Sequence, residues 1–188
     1  MITLVFFLEE PSAKALLESL LPRFIPAHRF LLRFVPFEGK RDLEDQLVRK
    51  IRGWRTPNTH FIVLRDQDSA KCRDVKEHLV ELCKRAGRPE TLVRVACREI
   101  ESWYLGDLKA VEEALGVTHL SSKQGQKKYR DPDRLESPSH ELERLTHSCY
   151  QKISGSRAIG QVLSLDIETN RSRSFNVFLN GLRKLTGI

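Results

Sequence analysis

FIVLRDQDSAKC, residues 61–72, passes from an apolar run straight into two acids one residue apart. FIVLR (61–65) suits a buried strand. Over 69–86 the period becomes helical, with Val75, Leu79, Leu82 and Cys83 on one face and Gly87 and Pro89 as stop signals. A strand that ends in an acidic turn and hands over to a helix is half of a β-α-β unit. The surrounding sequence repeats that unit.

ITLVFFL (2–8) is β-branched and aromatic, the pattern of a buried strand. Pro11 stands where a first helical turn accepts proline, and Ala15, Leu16, Leu20, Leu21 and Phe24 follow at helical spacing. LLRFVPF (31–37) is a second strand, and Leu43, Leu47, Ile51 and Trp54 carry a second helix over 41–54. TLVRVAC (91–97) is a fourth strand. The order β-α-β-α-β-α-β predicts an α/β fold, a Rossmann-like, mostly parallel four-stranded sheet flanked by helices. From about residue 99 strands give way to helical patterns at 100–104, 108–115, 139–152, around 156–165 and at 171–186, with the polar stretch 118–138 as a long loop. The expectation is a single domain over 1–188, an α/β core (1–105) with a helical C-terminal half (106–188) packed on it.

The composition is that of a globular chain: 188 residues, 40% hydrophobic and 30% charged. No apolar run reaches the roughly 18–20 residues of a membrane helix. MITLVFFLEE lacks a basic n-region, so it is expected to be a strand and not a signal peptide. Cys72, Cys83, Cys97 and Cys149 are far apart, with no C-x-x-C and no histidine at metal-ligand spacing. That argues against a zinc site or disulfide framework and for reduced thiols in a cytoplasmic protein. Net charge +7 and a pI near 9.4 favour a polyanionic partner. Basic residues cluster in RKIRGWR (49–55), KQGQKKYR (123–130) and RSR (171–173). Each alone suits a solvated surface, and the three together raise the case for nucleic acid. Lys40, Lys123, Lys127, Lys128, Arg130 and Lys152 are the expected contacts.

Open parallel sheets bind ligands at the carboxyl ends of their strands. Glu9 and Glu10 follow the first strand, Lys40 the second, Asp66 and Asp68 the third, and Glu99 and Glu101 the fourth. Such a rim of acids raises its own pKa values or shares a cation, and Mg²⁺ (or Mn²⁺) suits hard oxygen ligands. If the strand geometry continues, Asp66 and Asp68 point the same way and face one ion. Simpler roles compete: Asp68 or Ser69 as N-cap of the 69–86 helix, and glutamates placed at helix starts by the helix dipole. Taken alone, Asp66-x-Asp68 suits the cap. The joint pattern along the rim favours the metal. If 99–101 is helical, Glu99 and Glu101 lie about 200° apart and one faces the site; if it is extended, both do.

The layout resembles a Toprim domain, the metal-dependent fold of topoisomerases, primases and OLD-type nucleases, which carries a Glu after its first strand and a D-x-D after its third. The matching pieces are LVFFLEEPSAKALL and FIVLRDQDSAKC. More specifically, the chain resembles the bacterial domain-of-unknown-function family 4276, through REIESWYLGD (98–107), YQKISG (150–155) and RSFNVFLNGLRKL (173–185). The resemblance implies Glu9, Asp66 and Asp68 as metal-binding acids, with Glu99, Glu101 and Trp103 as family additions; Trp103 better suits core packing. Glu10 replaces the Gly usual after the first Glu, and Ala13 and Lys14 stand where a further acid is common. Relatives often stand beside an ABC- or SMC-like ATPase in apparent antiphage-defence or mobile-element loci. The expected function is a Mg²⁺-dependent nuclease, or related phosphoryl-transfer enzyme, acting on DNA or RNA. The alternative is a non-catalytic partner subunit of an ATPase.

Overall fold

Strands form where the chain is apolar for five to eight residues, and their ends are set by the charged or turn-forming residues that follow. The computed structural model describes residues 1–188. It has strands β1 (Ile2–Leu8), β2 (Phe30–Pro36), β3 (Thr59–Asp66) and β4 (Leu92–Ala96). Helices α1 (Pro11–Leu20), α2 (Lys40–Gly53) and α3 (Cys72–Arg85) connect them. Beyond β4 the chain is helical: α4 (Glu101–Leu105), α5 (Leu108–Leu115), α6 (Pro138–Leu145), α7 (Lys152–Val162) and α8 (Arg173–Thr186). The sheet order is β2-β1-β3-β4 and every pairing is parallel. The expected α/β architecture is therefore present, with the sheet wholly parallel.

Alternation along the strands sorts the core into two layers. Leu4, Phe6, Leu8, Ile62 and Leu64 point to one face, where α1 packs with residues of α4 to α8 in one apolar cluster. Val5, Phe7, Phe61 and Val63 point to the other, against α2 and α3. This two-sided burial is why both strands read as unbroken apolar runs. From β1 the chain crosses to β2 on one side and later returns to β3 on the other, so the topological switch lies between β1 and β3. In such sheets that crevice is the ligand position.

The junction after β3 corrects two expectations. Helix α3 starts at Cys72, preceded by Lys71 and without a side-chain cap, so neither Asp68 nor Ser69 caps it. The extended geometry also ends at Asp66. Asp68 adopts a left-handed φ of 55°, and its N–H donates to the Arg98 carbonyl at 2.8 Å. Arg98 is itself left-handed, at 61°. Asp68 is thus tied to the β4 side of the rim, and the two aspartates do not share a direction.

Other boundaries shift for local reasons. The helix expected over 139–152 ends at Leu145, where Thr146 Oγ1 folds back onto the Leu142 carbonyl and His147 and Ser148 take left-handed conformations. Residues 118–138 hold three short 3-10 turns around the buried Tyr129. The cluster RKIRGWR lies at the carboxyl end of α2, just before β3 begins, which is the end of the sheet opposite the acidic rim. No helix is long and apolar enough to cross a membrane.

Candidate functional site at the carboxyl edge of the sheet

Asp66 is the last residue of β3 and points to the face covered by α1 and α4. Burial, reinforced by Glu101, Glu9 and Glu10 in that order, drives its carboxyl well above the ordinary aspartate range; an N–H bond from Ile100 opposes this. Glu9 directly follows β1 and is buried. Its Oε2 accepts the Asp66 N–H at 2.9 Å and lies 3.8 Å from Arg65 Nε. Burial raises the Glu9 pKa, the Asp66 N–H and Arg65 lower it, and Asp68 and Glu10 push it up again. Glu101, 1% exposed, opens α4. Burial raises its pKa, against the Tyr150 hydroxyl that donates to it at 2.9 Å and the nearby charge of Lys152. Three carboxyls with raised pKa values, Glu9 and Glu101 buried and Asp66 partly so, thus collect at the switch point, as like charges in a poorly hydrated site must.

The two glutamates after β4 part company. Glu99 Oε2 accepts the N–H of Ser139 at 2.7 Å, filling the capping role at the start of α6 that Ser137 leaves unfilled. Glu101 instead lines the adjoining cleft and is the strongest charge acting on the Asp66 carboxyl.

Cations surround the acids and are already engaged. Lys152 donates to Glu10, with Nζ 2.6 Å from Oε2. Burial works against its ammonium, but the hydrogen bond and charge of Glu10, with Glu101 and Asp66 beyond, hold its pKa above the usual lysine value. Lys40 meets Asp68 at 2.8 Å. Arg65, buried on the other face of β3, reaches Glu44 at 3.2 Å and Glu9 and Asp68 at 3.8 Å. The loop cations are mixed: Lys128 pairs with Glu141 at 2.6 Å and Arg130 donates to the Gly125 carbonyl, while Lys123 and Lys127 make no ion pair. Lys40 and Lys152 therefore stand at the site, and the 123–130 group lies on a separate loop.

A cleft of about 470 Å³ opens beside Glu101, lined also by Ser139, Glu143, Tyr150, Gln151 and Lys152. Its wall is held by the Tyr150 hydroxyl, which also contacts Ser156 Oγ at 3.2 Å, and by Tyr104, whose hydroxyl donates to the same Oγ at 2.9 Å. Gly155 lets the Tyr150 ring lie against α7, since a Cβ there would stand 2.6 Å from the ring. Glu10, Arg65 and Tyr150 were not singled out as site residues from sequence. Glu10 had a signal, its place after the first strand; the other two had none but their motif or strand neighbours.

The carboxylate donor set suits a hard divalent cation in its chemistry, and such an ion would relieve the repulsion among Asp66, Glu9 and Glu101. Its geometry is more open. Asp68 is turned to Lys40, and no three His, Cys, Asp or Glu side chains converge closely enough to grip an ion.

The family model described as "Domain of unknown function (DUF4276)" matches residues 8–183. The chain belongs to the DUF4276 family. No curated protein and no solved structure matches it. The segments that resembled DUF4276 at the sequence level have physical roles here. In REIESWYLGD, Glu101 enters the site and Trp103 is fully buried against Phe175 and Phe178, its Nε1 donating to Ser174 at 2.9 Å. Gly106 allows Asn170 to close in, because a Cβ would stand 2.1 Å from its Oδ1. Asp107 caps α5 through the Ala110 N–H. YQKISG supplies Tyr150 and Lys152, and RSFNVFLNGLRKL supplies the residues around Trp103.

Proposed function

We propose that this DUF4276 protein is a divalent-metal-dependent nuclease, or related phosphoryl-transfer enzyme, built on a Toprim-like arrangement akin to that of OLD-type nucleases. The observation that carries this reading is the crowding of Asp66, Glu9 and Glu101 at the topological switch of a parallel sheet, each with its pKa raised. Asp66 and Glu101 would hold Mg²⁺ or Mn²⁺, the remaining positions going to water and substrate, with Glu9 beside them. A bound ion of this kind supplies charge stabilisation to a phosphoryl group and a more acidic water. The protein's own groups account for the rest. Glu9, fixed by the Asp66 N–H and raised in pKa by its burial, is suited to take or give a proton. Tyr150 orients Glu101, and Lys152 presents positive charge at the mouth of the cleft.

The test is cleavage of DNA and RNA with Mg²⁺ or Mn²⁺, comparing wild type with the Asp66→Ala/Asp68→Ala double variant. Metal-dependent cleavage that disappears in the variant supports the proposal; cleavage that survives there sinks it. A second reading, a regulatory subunit of an ABC- or SMC-like ATPase, draws on the ion pairs Lys152–Glu10 and Lys40–Asp68, which already satisfy part of the rim. Inactivity both alone and with an ATPase partner favours that second reading.

A further inference from the structure

At the other edge of the sheet, charge is left unmatched. Arg94 lies in the middle of edge strand β4, on the face covered by α8. Its Nε donates to the Val177 carbonyl at 3.2 Å and its Nη1 to the Val93 carbonyl at 2.9 Å. No carboxylate pairs with it, and burial alone lowers its pKa. The guanidinium crosses α8 at Gly181, where a Cβ would come within 2.4 Å of Nη2. Beside it opens a groove of about 240 Å³ that Lys76 and Arg173 also line. Neither makes an ion pair. The one acid in the wall, Asp133, is consumed internally: Oδ1 accepts from Ser172 Oγ at 2.6 Å and Oδ2 from the Ser174 N–H at 2.7 Å.

Arg94, half-buried with no carboxylate, is the costly charge unless an anion completes it, and the exposed Lys76 and Arg173 add positive charge to the same groove. The groove also has an apolar lip, since Val177 is 45% exposed. It connects to the acidic rim through Cys97, which lines it and precedes Arg98, the residue whose carbonyl holds Asp68. We propose that this groove is a binding site for one backbone phosphate of a single nucleic-acid strand, held by Arg94, Arg173 and Lys76, with the adjoining sugar or base on Val177. The proposal rests on the phosphodiester reading of the acidic site and names where the strand runs beyond it.

The experiment is fluorescence anisotropy with a short fluorescein-labelled single-stranded oligonucleotide in EDTA, so that binding is read without cleavage. Arg94→Gln with Arg173→Gln should weaken binding about tenfold and flatten its dependence on log salt by about one unit. Arg49→Gln with Arg52→Gln removes the same charge from the far end of α2 and should leave binding unchanged. Gly181→Ala should weaken binding while keeping every charge, by pushing the Arg94 guanidinium aside, with thermal melting to show that the fold persists. The proposal is overturned if the groove variant binds like wild type, if both double variants lose affinity equally, or if inorganic phosphate binds through Arg94 and the oligonucleotide does not. Arg94-dependent binding by a protein with no metal-dependent cleavage would support the groove and count against the catalytic reading alone.

Discussion

The acidic rim and the β4 groove are opposites in how their charges are matched. At the rim, Lys152 meets Glu10, Lys40 meets Asp68, and Arg65 lies among Glu9, Glu44 and Asp68, yet Asp66, Glu9 and Glu101 remain crowded enough to be raised in pKa. In the groove, Arg94, Lys76 and Arg173 have no acid to meet, and Asp133 is spent on two serines. A region with surplus carboxylate calls for a cation, and a region with surplus guanidinium calls for an anion. A phosphodiester with its metal ion would supply both.

The two regions share one wall, and breaking it gives the largest expected effect. Trp103 stands two residues after Glu101, and its Nε1 bonds Ser174, which lines the groove. Trp103→Ala should cost about 3–5 kcal/mol, the usual price of a large buried aromatic, and melting should show it. Oligonucleotide binding and any divalent-ion response should fall together. Loss of one without the other would mean that the regions are supported separately.

A smaller effect isolates the rim. Carboxyls whose pKa is raised in the folded state take up protons more readily there than in the unfolded chain. Their contribution to stability is therefore fully present below the ordinary values of 3.8 for Asp66 and 4.5 for Glu9 and Glu101, and is lost as pH rises through the raised values. Glu141, buried yet held down to about 2 by Arg144, Lys128 and Tyr129 against burial, acts in the opposite sense, losing its contribution as pH falls from 4.5 toward 2. In EDTA the melting temperature should fall between mildly acidic and neutral pH. Asp66→Asn should flatten that fall and raise the neutral-pH value by about 2–4 °C, the shift that 1 kcal/mol produces in a chain of this size. Mg²⁺ should raise the wild-type value and not the variant's. A variant that melts lower than wild type at neutral pH, or that keeps the full pH slope, would show that Asp66 is not under this strain.

Much of this was legible in the sequence, and the exceptions have physical reasons. The parallel sheet could be read because strands buried on both faces are continuously apolar, and the rim followed because each strand ended in an acid. Asp68 stands on the expected rim but leaves the strand alternation that would aim it with Asp66, because its φ turns positive, a change that depends on the Arg98 carbonyl in the turn after β4. The groove was illegible for a related reason. An arginine in an edge strand is unremarkable until α8 crosses it at Gly181 and leaves it without a carboxylate. What escaped was pairing between distant segments, which local periodicity does not encode.

Tyr150 is another such pairing, and it offers the finest test of the rim. Its hydroxyl donates to Glu101 Oε1 at 2.9 Å across 49 residues of chain, stabilising the ionised carboxylate. Tyr150→Phe removes that donor and leaves the ring against Gly155 undisturbed. Glu101 should then hold its proton to higher pH. A carboxylate must lose its proton to bind metal, so the pH at which Mg²⁺ begins to raise the melting temperature should move up, by less than about one unit. Oligonucleotide binding at the groove should not change, because no groove residue touches Tyr150. An unchanged or lowered onset would mean that Glu101 does not contribute to the cation site, leaving Asp66 and Glu9 to form it with the rim's remaining acids.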